Sequence, residues 1–132
     1  MAREGLISLP SARPVAELLN RLEAALAAKR ITVFARIDHA AGAASVGMKL
    51  RPTSVLIFGN PQAGTPLMQA DQQIGLDLPL RVLAWQDAEG RSWLTYHDPA
   101  WLVRYHGVDP GTLPQVPAIT TLLHALASDA AG

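Results

Sequence analysis

Two short stretches carry residue types that could do chemistry. Gly59-Asn60-Pro61-Gln62-Ala63-Gly64-Thr65 follows an apolar run and spaces two glycines as G-x-x-x-x-G, with a threonine after the second. A loop of this kind can cradle an anion with backbone amides at the start of a helix. A nucleotide loop, however, needs a lysine between the second glycine and the hydroxyl residue. Here Thr65 follows Gly64 directly, and the next basic residue downstream is Arg81. Pro61 also removes one amide donor, so nucleotide chemistry is set aside. Two readings remain. One is a structural turn in which Asn60 caps its own backbone. The other is a site for a small polar or anionic ligand at the start of a helix opening at Pro66, with Asn60, Gly64 and Thr65 as contacts.

The second stretch is Asp38-His39. A carboxylate beside an imidazole can orient it for acid–base work. Neighbouring residues at a helix start point in different directions, though, and Asp is a common N-cap, so capping is the plainer reading. His97, His106 and His124 lack the spacing of a metal site such as H-x-x-x-H or H-E-x-x-H. No serine lies in a G-x-S-x-G elbow. With no cysteine in the chain, disulfides, thiolate nucleophiles, zinc–thiolate sites and iron–sulfur clusters are excluded. No catalytic residue, metal ligand or cofactor is assigned. The candidate ligand residues are Asp38, His39, Asn60, Gly64 and Thr65, expected to shape one shared pocket or groove.

The elements that must position these residues are legible from periodicity. Gly5 to Leu9 reads as a strand stopped by Pro10. Val15, Leu18, Leu19, Leu22 and Leu26 recur at helical spacing, predicting a helix from about Pro14 to Lys29 with a Glu17–Arg21 pair on its outer face. Ile31 to Ile37 alternates and is β-branched, hence a strand, and Asp38 then caps a short helix to Val46 that stops at Gly47. Thr53 to Phe58 is a second strand. Its unbroken apolar run from Val55 suggests cover on both faces, by helices or by a partner subunit. A helix from Pro66 to about Gly75 follows. Pro79–Gln86 and Ser92–Tyr96 form a hairpin around Asp87-Ala88-Glu89-Gly90, with Trp85 and Trp93 able to stack across it. Asp98 caps a short helix closed by Gly107. A last helix spans about 114–127, and a tail over 129–132 is expected to fray.

The order of elements admits a parallel βαβ arrangement. The hairpin and the absence of a dinucleotide fingerprint favour an α+β fold instead, with a mainly antiparallel sheet. The 132 residues suit one domain, and the 49% hydrophobic content suffices for a core. Eleven basic residues balance eleven acidic ones. That balance argues against a nucleic-acid partner, which needs a basic face, and favours self-association. No apolar run approaches the ~20 residues of a membrane span, and Met1 to Gly5 leads into no signal-peptide core. A cytoplasmic, non-membrane protein is the expectation.

Taken in order, several segments together resemble a bacterial and archaeal family catalogued as domain of unknown function 302. They are Val33–His39, Val55–Pro61, Gly64–Met68, Leu78–Leu80 and Tyr96–Pro99. His97 departs from the pattern, which would place a small polar residue such as Asn there. The resemblance implies a curved, mainly antiparallel sheet of about five strands with helices on one side, similar to the TATA-binding-protein-like fold, over a core of about 5–107. It also implies a homodimer. It carries over no activity, cofactor or catalytic residue.

The function expected from these observations is a homodimeric binding or regulatory module for a small polar or anionic ligand. The alternatives are a small enzyme with an Asp38/His39 acid–base site and a purely structural assembly domain.

Overall fold

The computed structural model describes residues 3–132; Met1 and Ala2, part of the stretch read above for a leader, lie outside them. The elements run β1 (Leu6–Ser11), α1 (Val15–Ala28), β2 (Thr32–Asp38), α2 (His39–Ser45), β3 (Thr53–Gly59) and α3 (Pro61–Ala70). A 3₁₀ turn (Gln72–Asp77), β4 (Leu80–Gln86), β5 (Ser92–His97), α4 (Pro99–Tyr105), a second 3₁₀ turn (Pro110–Thr112) and α5 (Gln115–Ala131) complete the chain. The five strands form one antiparallel sheet in the order β1-β5-β4-β3-β2. The α+β expectation holds.

Helix α1 forms where the leucine spacing places it, and Val15, Leu18, Leu19, Leu22 and Leu26 are all buried. Each fully buried leucine contributes about 1.5–3 kcal/mol. Arg30, at φ +58°, takes the left-handed position that a glycine usually fills and turns the chain into β2. The leucines of α1 and the buried face of α5 (Val116, Ile119, Leu123, Leu126) pack on one side of the sheet, against Leu56, Phe58, Val82, Ala84 and Leu94. Period-two alternation sends the intervening residues to the opposite face: Val55 and Ile57, Leu83 and Trp85, Trp93 and Thr95.

Strand β3 has helices on one face; Ser54, Leu56 and Phe58 are buried there while Val55 and Ile57, on the other face, are half-buried. Of the two kinds of cover expected for its apolar run, helices supply the first face and the second is left to a partner subunit. Three expectations are corrected. Pro10 does not end β1 but sits within it opposite Trp93. An edge strand tolerates the missing N–H because no neighbour needs it there. Glu17 pairs with Arg13 at 2.6 Å rather than with Arg21. Finally, residues 129–131 belong to a helix and are not a loose tail. Helix α5 runs to Ala131, and its terminal carbonyls accept hydrogen bonds from Arg21 (on Asp129 and Ala130), Ser11 (on Ala131) and Arg13 (on Gly132). These donors satisfy the acceptors that a helix C-terminus leaves open.

Candidate functional site

The antiparallel register decides which candidate residues can meet. Asp38 stands opposite Ser54, at the start of β3, whereas Gly59 stands opposite Thr32, at the start of β2. The residues that follow β2 and those that follow β3 therefore lie at opposite ends of the strand pair, roughly 20 Å apart at ~3.3 Å per residue. Asp38 and His39 do not share a site with Asn60, Gly64 and Thr65.

At its own end, the Asp38 carboxylate accepts from the Ala41 backbone N–H at 2.9 Å and caps α2. His39 is exposed, and no hydrogen bond joins it to Asp38. The side chain that would have to orient His39 is occupied with the helix, so the acid–base alternative lacks its geometry.

At the other end, Asn60 is the N-cap of α3, with its side-chain oxygen accepting from Ala63 N–H at 3.0 Å. Pro61 occupies the first helical turn and Pro66 lies inside the helix. This corrects the helix start expected at Pro66, and it also moves Gly64 and Thr65 from a loop into a helix. Both prolines suit a first turn; the chain uses the earlier one because Asn60 supplies the cap. The helix ends at Ala70, and a separate 3₁₀ turn, capped by Asp71, follows.

Beside this helix lies a cleft of about 250 Å³. Phe34 forms one wall from β2, where the pairing register shifts between Val33 and Ala35. The bulge turns the ring outward, 57% exposed at the cleft. Gly59, Asn60, Ala63, Gly64, Thr65 and Met68 form the α3 side, with Gly75 and Leu78–Leu80 opposite and Ile119 of α5 beneath. Glycine at 64 leaves room: a Cβ there would sit 3.5 Å from the Leu78 side chain. Among the described residues, no charged side chain lines the cleft. Its lining is mainly apolar, and Asn60, Gly64 and Thr65, three of the residues singled out from the sequence, all contribute to it.

A smaller depression of about 110 Å³ adjoins it, sharing Leu80. Asp77, Arg81 and His97 bring charge and hydrogen-bonding capacity to it. Strand direction explains the grouping, since β3 and β5 end where β2 and β4 begin. The Asp77 carboxylate is bound from behind by His106, with Nε2 to Oδ2 at 2.6 Å. His97 stacks on Trp101 (5.5 Å between centroids), Trp101 on Tyr105 (5.4 Å), and Tyr105 meets His106 edge-on (5.5 Å). Sequence spacing missed this group. Within it, the helical spacing of Trp101 and Tyr105 on α4 was the only available signal. Close by, burial, reinforced by the Asp98 charge, raises the Tyr96 hydroxyl above its ordinary pKa.

The structure places no helix long and apolar enough to cross a membrane among the described residues. Compared with known proteins, residues 7–128 match the family model described as "Domain of unknown function DUF302". Two curated relatives from Brucella are each 44% identical over 128 residues, and both are called "Fluoride-specific ion channel FluC 1". The one from Brucella suis biovar 1 (strain 1330) is matched over 97% of this chain and 50% of its own length. The one from Brucella abortus biovar 1 (strain 9-941) is matched over 97% and 47%. The chain thus spans about half the length of the curated relatives it matches. Among solved structures, the crystal structure of an uncharacterized conserved protein DUF302 from Bacillus stearothermophilus superposes with a TM-score of 0.84. The identity is 19%, covering 97% of this chain and 99% of that one.

Proposed function

This chain belongs to the DUF302 family, and on that premise we propose that it is a homodimeric binding module for a small amphipathic molecule. One observation carries the reading: an apolar cleft of about 250 Å³ adjoins a depression lined by Asp77, Arg81 and His97. The apolar part of a ligand would displace water from beside Met68, Leu78 and Ile119, while Arg81 or His97 would receive a polar or anionic head group. Ligand sites combine an apolar lining with a few placed polar groups in this way. The name borne by the curated relatives supports a regulatory version, in which the module reports ligand occupancy to a membrane transport process.

Dimerisation draws support from the sheet face that the helices leave open. Trp85 and Trp93 stack there at 6.2 Å between centroids. Their indole N–H groups are already used internally, by Thr95 and Asp87, both at 2.9 Å. Outward, both rings offer apolar surface, which a second copy would cover.

NMR titration with hexanoate tests the ligand reading. Chemical-shift changes are expected at Gly64, Met68, Leu78 and Arg81, and a Gly64→Val protein should show none. Changes absent from this end of the sheet would overturn it. Sedimentation showing a strict monomer at tens of micromolar would overturn the dimer.

A further inference from the structure

We propose that the segment from α2 to Arg51 is a docking surface for an anionic lipid bilayer, contacting the membrane surface without spanning it. Single exposed apolar residues are ordinary on any protein. Here, every residue from Ala44 to Pro52 is exposed, and Val46, Met48 and Leu50 are 71%, 66% and 48% exposed. Helix α2, which leads into them, buries none of its residues. The segment is therefore a contiguous apolar projection that the other described residues leave uncovered.

Its charge selects the occupant. Residues 39–51 include Lys49, Arg51 and His39 but no Asp or Glu, within a chain whose charges sum to zero. The neighbouring Asp38 carboxylate is engaged by the α2 backbone. From Met48 to Arg51 apolar and basic residues alternate along the chain, and all four are exposed beside Ala40 and Ala44 of α2. Arg51 donates through Nε to the Gln86 carbonyl at 3.2 Å, anchoring the base of the projection to β4. Apolar tips flanked by basic side chains suit the boundary between acyl chains and anionic head groups. A second copy meeting this segment about a twofold axis would bring like charges together. A nucleic acid would leave the three apolar tips without a counterpart.

Vesicle flotation at low salt tests the proposal, comparing phosphatidylcholine alone with a mixture of three parts phosphatidylcholine to one part phosphatidylglycerol. The chain should partition at least about tenfold better onto the phosphatidylglycerol vesicles, and less as salt rises. The exposed double variant Met48→Ser/Leu50→Ser should lose about tenfold of that partition while keeping its thermal melt and sedimentation. Lys49→Glu should lose the preference for phosphatidylglycerol. Equal partition onto both vesicle types, no partition onto either, or wild-type partition by the double variant would overturn the proposal. A change of oligomeric state in the double variant would overturn it as well, by assigning the segment to a second copy.

Discussion

His106 and Asp77, twenty-nine residues apart, meet at 2.6 Å with the imidazole only 8% exposed. The bond ties the C-terminal end of α4 to the 3₁₀ turn that carries Gly75 and leads into Leu78, both at the cleft. His106→Ala removes the tie and leaves Asp77 without its partner. The expected loss is about 1–3 kcal/mol, the usual range for a hydrogen bond to a charged group together with the unmet partner. Thermal or urea unfolding measures it. Faster amide exchange over residues 72–78 should accompany the loss.

Gly5 stands at φ +82° with the Trp101 indole stacked where a side chain would begin. Gly5→Ala therefore meets both a strained backbone and a ring that must move. The expected destabilisation exceeds about 1 kcal/mol. Gly42→Ala, whose Cβ would meet nothing, should be neutral or slightly stabilising in the same melt, since alanine favours a helix more than glycine does.

In the hairpin, Asp87 accepts from the Trp93 indole at 2.9 Å and from the backbone amides of Glu89 and Arg91. The Trp93 bond foremost, then the Arg91 and Glu89 amides and the Arg91 charge, hold its carboxyl below the ordinary value of 3.8, against some desolvation. A depressed folded-state pKa contributes stability that is present above 3.8 and is lost as pH falls through the lower folded value. Asp87→Asn should be less stable than the parent at pH 7, with the gap narrowing below pH 3.8. Urea midpoints across that range measure it.

Arg21 donates to the carbonyls of Asp129 and Ala130 at the end of α5. Arg21→Ala should cost about 0.5–1.5 kcal/mol and should speed amide exchange over the last turn of α5. The fraying expected from sequence would then appear in the variant.

Elements whose signal is local were legible in the sequence. The leucines of α1, the hairpin around Asp87 to Gly90 and the cap at Asp98 each depend on residues a few positions apart, and each forms as read. What escaped depends on distant partners. Asn60 and Thr65 each precede a proline and each could have capped the helix; only the folded chain shows that Asn60 does so. The apolar character of the cleft comes from Phe34, Leu78 and Ile119, three elements that no single motif spans. The separation of His39 from Asn60, by contrast, follows from topology alone. Two neighbouring antiparallel strands end at opposite edges of a sheet, so assigning β2 and β3 as such a pair already separates His39 from Asn60.

The pairing of β1 with β5 sets Leu6 opposite His97, with the rest of the sheet's sequence between them. On a ribosome, the first strand emerges long before its partner exists. It must wait with Leu6, Ile7 and Leu9 uncovered while β2 to β4 assemble. Unpaired strands of this kind are where nascent chains associate wrongly. Pro10 denies such contacts one backbone donor and so guards the strand during its wait.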